Sequence, residues 1–221
     1  MHNIVNNLLS IQSEIKLKIN ELNFKNYQPN IVAVSKTFSM QDILPLINHG
    51  HIHFGENKVQ EAIEKWTNLK NDFKHLKLHM VGKLQTNKVK YVVPLFDYIH
   101  SVDNIKLAEK ISKEQIKNNK KMKLFIQINI GNEDQKTGIS EDRLENFFNI
   151  CTKELDLNVI GIMCLPPNDN QSSKYFSKMI QLIKKIKLKE TSMGMSNDYL
   201  EAVSYQSTYL RIGSKIFGER N

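Results

Sequence analysis

The chain alternates between segments with apolar residues at helical spacing and short apolar runs of strand length. The first segment has apolar residues at positions 4, 8, 11, 15, 19 and 22, which lie on one face of a helix. A β-rich apolar run at residues 30–35 follows it. Ser39 and Asp42 then form a capping-box pattern, which predicts a helix that begins at Ser39 and ends near Asn48.

The same alternation continues along the chain and gives roughly eight strand–helix units. The predicted strands span residues 30–35, 52–54, 76–81, 98–100, 123–130, 157–163, 191–193 and 208–212. The predicted helices span residues 39–48, 57–69, 87–92, 103–118 with Asp103 as the cap, 140–151, 171–187 and 197–205. This order predicts an α/β fold, a (β/α)8 TIM barrel with an extra N-terminal helix, as one domain over residues 1–221. An open doubly wound sheet fits the same pattern.

Composition places the protein among globular chains rather than membrane or disulfide-rich ones. The chain has 221 residues, of which 40% are hydrophobic and 24% are charged. Its two cysteines fit no metal-binding spacing and are too few for a disulfide framework, so we expect reduced thiols and a cytoplasmic protein. We find no apolar segment long enough for a signal peptide or a membrane helix, and expect no membrane partner.

The net charge of +8 raises the question of nucleic acid binding. The basic residues are nearly all lysines, and they occur in runs such as 110–123 and 178–189, where Ile and Leu interrupt them at helical spacing. This pattern is typical of solvated helix faces, and no aromatic platform accompanies it. We therefore expect no nucleic acid partner. For the same reason we expect the protein to be a monomer.

In a (β/α)8 barrel the ligand lies at the C-terminal ends of the strands, so reactive residues directly after strands are candidates. Lys36 follows the first predicted strand. A lysine beside a buried strand loses solvation, which favours the neutral amine that attacks aldehydes. The alternative is a strand-end lysine whose ammonium group reaches solvent.

Two later segments have features of a phosphate site. Ser196 precedes a predicted helix as a natural N-cap, and the N–H groups at a helix start bind phosphate. Arg211, Gly213 and Ser214 follow the last predicted strand, where glycine allows close backbone approach. An ordinary cap and an ordinary turn are the alternatives.

The alternating His49, His51 and His53 would suit a metal ion if the segment were extended throughout. His49 and Gly50 are typical of a helix end, however, which breaks the array, so structural roles are favoured. His79 is predicted to be a strand residue that lines the mouth of the barrel.

Several segments together resemble the pyridoxal phosphate homeostasis protein family, over about residues 31 to 219. In chain order they are Ala33-Val-Ser-Lys36-Thr, Phe54-Gly-Glu-Asn57 with Gln60-Glu61, His79-Met-Val-Gly82-Lys-Leu-Gln85-Thr-Asn87-Lys88, Gln127-Ile-Asn129, Lys136-Thr-Gly138, Gly161-Ile-Met163, Met193-Gly-Met-Ser196-Asn-Asp198 and Arg211-Ile-Gly213 with Ile216-Phe-Gly218. Each motif alone is weak, but eight in one order at matching separations are a specific signal.

The resemblance implies a fold-type III barrel that binds pyridoxal 5′-phosphate (PLP), similar to the N-terminal domain of alanine racemase. By this resemblance Lys36 would hold PLP as a Schiff base, and Arg211 would face the pyridine nitrogen. Ser196, Gly213 and Ser214 would grip the phosphate, and Asn57 would line the pocket. One departure is Gln206, which stands where the family usually has glycine.

The resemblance leaves the activity open between a cofactor carrier and an enzyme. A racemase needs a base on each face of the substrate, and in the racemases the second base lies in an added C-terminal β domain. This sequence reaches Asn221 directly after the last predicted strand, so we expect a carrier without strong catalysis. We expect it to act in PLP homeostasis and to deliver PLP to apoenzymes. A weak PLP-dependent amino-acid racemase, or a barrel that has lost PLP, are the alternatives.

Overall fold

Eight parallel strands close into a barrel in the computed structural model, which describes residues 3–133 and 135–219. The strands are β1 (Asn30–Val34), β2 (His53–Glu56), β3 (Lys77–Met80), β4 (Tyr98–Val102), β5 (Lys123–Ile128), β6 (Val159–Cys164), β7 (Glu190–Ser192) and β8 (Tyr209–Ile212). Strand β1 pairs in parallel with β2 on one side and with β8 on the other. The closed barrel predicted from the sequence is thereby confirmed, and the open sheet is wrong.

Helices follow the strands and form an outer layer around the barrel. They are α1 (Asn3–Glu21), α2 (Met40–Asn48), α3 (Val59–Asp72), α4 (Val89–Leu95), α5 (Ile105–Lys117), α6 (Leu144–Asn149), α7 (Ser172–Lys185), α8 (Tyr199–Ser204) and α9 (Ser214–Phe217). Helix α1 precedes the barrel as predicted and packs against α2, α8 and α9. Its buried residues include Ile4, Leu8, Ile11 and Ile15, four of the six positions on the predicted face.

Two hydrophobic layers hold the fold together. The larger layer lies between the strands and the helices, where Phe54 packs on Trp66 of α3 with ring centroids 5.0 Å apart. The smaller layer fills the interior of the barrel and is mainly aromatic, with Val32, Tyr98, Phe125, Met163 and Tyr209. Side chains that alternate along each strand supply both layers, which is why the strands are buried on both faces.

Several predicted boundaries and caps differ from the structure. Asn104, not Asp103, caps α5, because its side-chain oxygen accepts the N–H of Leu107 at 2.9 Å. Helix α3 begins at Val59 rather than at Asn57, which leaves Asn57 in the loop after β2. The short helix α9 and a turn of π-helix at Ile150–Glu154 were not predicted. The capping box of Ser39 and Asp42 at α2 is confirmed.

Among the helices of residues 3–133 and 135–219, none is both long enough and apolar enough to cross a bilayer.

Candidate functional site

A cavity of about 530 Å³ opens at the C-terminal ends of the strands. The loops after β1, β2, β3, β6, β7 and β8 contribute its walls. All six residues that the family resemblance implies for the cofactor line this one cavity: Lys36, Asn57, Ser196, Arg211, Gly213 and Ser214. The structure thus brings together residues that lie up to 178 positions apart in the chain.

A buried carboxylate fixes the strand end that carries Lys36. Glu56 is fully buried and accepts hydrogen bonds from the Ser35 hydroxyl at 2.8 Å and from the Trp66 indole at 3.0 Å. Lys65 also donates to Glu56 at 3.1 Å and to the backbone carbonyl of Ser35 at 2.8 Å. Burial raises the pKa of Glu56, and the charge of Lys65 opposes that rise. Ser35 directly precedes Lys36, so this cluster holds the base of the lysine in place.

The residue after Lys36 has an unusual backbone conformation. Thr37 has a φ of 69°, in the left-handed region that β-branched residues rarely adopt. The Thr37 N–H donates to the Glu61 carboxylate at 2.5 Å, and Lys65 forms an ion pair with Glu61 at 2.7 Å. Side chains of α3 therefore hold the backbone on both sides of Lys36, and strain of this kind clusters at functional sites.

Replacement of Glu56 by leucine is expected to lower the free energy of unfolding by about 1–3 kcal/mol, because the Ser35 hydroxyl and the Trp66 indole lose their buried acceptor, while Lys65 keeps its ion pair with Glu61. Urea unfolding would measure the change. Glu56→Gln keeps acceptors for Ser35 and Trp66 and should cost less. The matched control is Glu64→Leu, an exposed glutamate on α3 next to Lys65, where a change below about 0.5 kcal/mol is expected. An equal effect at both positions would contradict a special role of Glu56.

Asn57 is held at the cavity by a close backbone approach. A Cβ atom on Gly82, in the loop after β3, would lie 2.3 Å from the backbone oxygen of Asn57, so only glycine fits there. The side-chain oxygen of Asn57 is buried and makes no hydrogen bond within the described ranges. A buried oxygen of this kind is costly unless something donates to it, so it suits a ligand with a donor group.

Ser196 binds the backbone at the start of α9 and does not cap α8 as predicted. Its hydroxyl accepts the N–H groups of Gly213 and Lys215, each at 3.3 Å. Helix α8 begins at Tyr199, and Asp198 is its N-cap residue. Ser196 and the loop after β8 therefore form one polar wall of the cavity.

Arg211 is almost completely buried and reaches the cavity from β8. Its Nη1 donates to the Ser192 hydroxyl at 2.5 Å, and its Nη2 donates to the carbonyl of Cys164 at 2.8 Å. Burial lowers the pKa of Arg211 from its ordinary value. A guanidinium group nevertheless stays protonated in proteins, so Arg211 acts as a fixed positive donor.

The histidines have roles that the sequence did not reveal. His79 does not line the cavity mouth; it is fully buried inside the barrel. Hydrogen bonds of 2.9 Å join it to His53 on one side and to His100 on the other. The end of α2 at His49 and Gly50 is confirmed, with Gly50 at a φ of 91°. Sequence reasoning missed His100 entirely, although a polar residue within a buried strand was a usable signal.

The departure at Gln206 has a clear backbone consequence. Gln206 follows α8 with a φ of 54°, the left-handed conformation that glycine adopts without strain. Its N–H still donates to the carbonyl of Val203 at 2.9 Å, so the helix end is kept.

Gln206→Gly is therefore expected to raise the free energy of unfolding by about 0.5–1 kcal/mol. Glycine removes the strain of the left-handed conformation, and this gain exceeds the loss that comes from the larger conformational entropy of glycine in the unfolded chain. Urea unfolding would measure it, with Gln206→Ala as a control that keeps the Cβ atom and should bring no gain. A loss of stability in the glycine variant would show that the left-handed conformation is not strained.

Comparisons with known proteins agree with the architecture. Residues 13–221 match the family described as alanine racemase, N-terminal domain. The pyridoxal phosphate homeostasis protein of Haemophilus influenzae is 34% identical, with 99% of this chain and 97% of that protein covered. The protein of the same name from Aquifex aeolicus is 36% identical, with 86% of each chain covered.

Solved structures show the same barrel. PipY of Synechococcus elongatus with PLP bound has a TM-score of 0.79 and 29% identity, over 92% of this chain and all of that one. An alanine racemase from Clostridium difficile has a TM-score of 0.68 and 14% identity, over 94% of this chain and 57% of that one. The likeness to the racemase shows a shared fold and nothing further.

Proposed function

The chain belongs to the pyridoxal phosphate homeostasis protein family, and we propose on this basis that it binds PLP in the cavity at the C-terminal end of the barrel. Lys36 would hold the cofactor as a Schiff base. The observation that carries this assignment is the convergence of Lys36, Asn57, Ser196, Arg211, Gly213 and Ser214 on one cavity. The described residues fit the chemistry of PLP, because each polar part of that molecule has a complementary group among them.

The six residues divide by the part of the cofactor that they would hold. Ser196, Gly213 and Ser214 would bind the phosphate: the Ser196 hydroxyl, which accepts the N–H groups of Gly213 and Lys215, keeps its own proton to donate, and N–H groups at the start of a helix favour a negative charge. Arg211 would face the pyridine nitrogen. Asn57 would accept a hydrogen bond through its buried side-chain oxygen. Lys36 would supply the amine that condenses with the aldehyde and releases water.

Arg211 favours storage of the cofactor over chemistry on amino acids. When bound, PLP supplies an aldehyde for imine formation and a ring that withdraws electrons. A guanidinium group only donates its hydrogen bonds and keeps its protons, so the ring nitrogen opposite Arg211 would stay unprotonated. An unprotonated ring withdraws electrons less well, which suits a carrier that keeps PLP without consuming amino acids.

The wider role follows from this carrier chemistry. Residues 1–221 would act as one PLP-binding unit in intracellular vitamin B6 homeostasis, in the cytoplasm and as a monomer. The partners would be PLP itself and PLP-dependent apoenzymes, without nucleic acid or membrane. Transfer to an apoenzyme would be followed by mixing the loaded protein with a PLP-dependent apoenzyme and measuring the recovery of that enzyme's activity.

The first experiment is the absorption spectrum of the protein with PLP, before and after borohydride, followed by mass spectrometry of its peptides. We expect a visible band that borohydride removes, and one peptide, the one with Lys36, that carries the reduced adduct. A protein that stays colourless with added PLP would overturn the assignment and leave a barrel that has lost the cofactor. Rapid loss of optical activity from L-alanine in the loaded protein would instead establish a racemase and contradict the carrier role.

A further inference from the structure

A line of buried hydrogen bonds crosses the interior of the barrel from the cavity to the opposite end. From Arg211 Nη1 it passes to the Ser192 hydroxyl at 2.5 Å and then to His100 Nδ1 at 2.8 Å. His100 Nε2 lies 2.9 Å from His79 Nδ1, and His79 Nε2 lies 2.9 Å from His53 Nδ1. His53 is the first residue of β2, so the line ends at the N-terminal end of the strands.

This line of hydrogen bonds, from Arg211 through Ser192, His100 and His79 to His53, is called the histidine chain. Its three middle members are buried among aromatic rings. Ser192, His79 and His100 are fully buried. Tyr98 stacks on the His79 ring with centroids 4.1 Å apart, and Phe125 stacks on the His100 ring at 4.4 Å. Burial lowers the pKa of both imidazoles well below the ordinary value, and the charge of Arg211 adds to this at His100. Both rings are therefore neutral, with one proton each.

Arg211 sets the direction of the whole line, because a guanidinium group can only donate. The Ser192 oxygen must therefore accept from Arg211. Within residues 3–133 and 135–219, His100 Nδ1 is then the acceptor for the proton of the Ser192 hydroxyl. A bare Nδ1 places the single proton of His100 on Nε2, which donates to His79 Nδ1. By the same logic His79 donates from Nε2 to His53.

One consequence concerns the contact between Arg211 and Ser192. A serine hydroxyl rotates freely unless an acceptor fixes its proton. His100 provides that acceptor and keeps the proton turned away from the guanidinium, so the Ser192 lone pair always faces Arg211. The Ser192 oxygen and the carbonyl of Cys164 each accept a hydrogen bond from one guanidinium nitrogen. These two contacts fix the guanidinium group and leave its other N–H groups available to the cavity.

We propose that His100, acting through Ser192, is a positioning residue for Arg211, and that the histidine chain keeps the guanidinium in one fixed donor arrangement at the cavity. The effect on the cofactor rests on the proposed function, in which Arg211 faces the ring of PLP. The arrangement itself belongs to the protein without cofactor and is measured there.

The first test uses the wild-type protein without PLP, with its histidine ring nitrogens labelled with ¹⁵N. Protonated and bare imidazole nitrogens resonate in separate ranges, so the spectrum shows which nitrogen carries the proton. We expect His53, His79 and His100 to be neutral with the proton on Nε2. A proton on Nδ1 of His79 or His100 would overturn the proposed direction, whether or not PLP binds.

Ser192→Ala extends this test, because the variant removes the donor to His100 Nδ1. The Nδ1 signal of His100 should then move toward the value of a nitrogen without a hydrogen bond. The matched control is Thr191→Val at the neighbouring position of β7, which removes another buried hydroxyl that has no hydrogen-bond partner in the described ranges. The control should leave the His100 signal in place, and an unchanged signal in Ser192→Ala would contradict the chain.

The second test compares His100→Phe with His100→Gln in PLP binding. Phenylalanine keeps the bulk of the ring and loses the hydrogen bonds, and we expect PLP to bind about tenfold more weakly, as the loss of one hydrogen bond to a charged network implies. Glutamine has an oxygen that accepts from Ser192 and an amide that donates to His79, so it should bind PLP nearly as wild type does.

The two variants separate hydrogen bonding from packing. Binding that survives in His100→Phe and falls in His100→Gln would assign His100 a packing role and overturn the proposal, as would wild-type affinity in both. If the wild-type protein binds no PLP at all, the proposed function fails by itself, and the nitrogen spectra still decide the histidine chain.

Discussion

Lys36→Ala is expected to abolish the visible absorption band of PLP and the borohydride-stable adduct, because alanine has no amine to condense with the aldehyde. The loop of Gly213, the Ser196 hydroxyl and Arg211 remain in this variant, so weaker noncovalent binding should persist. Absorption spectra and mass spectrometry after borohydride measure the covalent part. Thermal unfolding measures the noncovalent binding, since a ligand at 100 times its Kd adds about 2.7 kcal/mol to the unfolding free energy.

Two further variants test whether the band needs the amine of Lys36 rather than its positive charge, and whether it needs Lys36 rather than another lysine nearby. Lys36→Arg keeps a positive charge but offers no amine of the required kind, so it should also lack the visible band. Lys83→Ala removes an exposed lysine from the loop after β3, at the same end of the barrel, and should keep the band. A band that survives in Lys36→Ala and carries its adduct on another lysine would show that the cofactor is anchored elsewhere.

The barrel is expected to lose stability steeply as the pH falls below about 6.5. Burial lowers the pKa of His51 and of His53 to about 4, and lowers those of His79 and His100 well below the ordinary value. The folded state therefore binds fewer protons than the unfolded chain, in which histidines titrate near 6.5. The unfolding free energy is maximal above that pH and falls between pH 6.5 and about 4.

The slope of this loss follows from the number of histidines involved. Each proton taken up on unfolding contributes about 1.4 kcal/mol per pH unit, so four histidines approach about 5 kcal/mol per pH unit. Since domains are stable by roughly 5–15 kcal/mol, this is enough to unfold the barrel near pH 5 or slightly below. Urea unfolding at a series of pH values from 8 to about 4.5 would measure the slope.

A single substitution tests the origin of the slope. His53→Gln removes one of the four titrating groups while glutamine still accepts from His79, and the slope should fall by about 1.4 kcal/mol per pH unit. His75→Gln changes an exposed histidine in the turn before β3 and is the matched control. Equal slopes in the wild type and His53→Gln would assign the acid sensitivity to other groups.

The sequence by itself determined the order of strands and helices and the position of the candidate lysine, whereas the structure decided that the sheet closes into a barrel. Regular alternation of helical periods and short β-rich runs is local information, and parallel strands order their carboxyl ends at one side. Lys36, Asn57 and Gly213 each lie within two residues of the end of a strand, so their place at the cavity follows once the fold is known. The roles implied for them came from the family motifs, since a lysine after a strand is by itself more often a solvated side chain.

Only the tertiary structure decided which polar groups pair. Ser196 caps the turn that leads into α9 and not the helix that follows it in sequence, because β7 and β8 lie side by side. The links from His53 to His79 and from His79 to His100 span 26 and 21 residues, and the link from His100 to Ser192 spans 92. Such contacts depend on strand register and on barrel closure, and a register shift of one residue would turn each side chain to the opposite face of its strand.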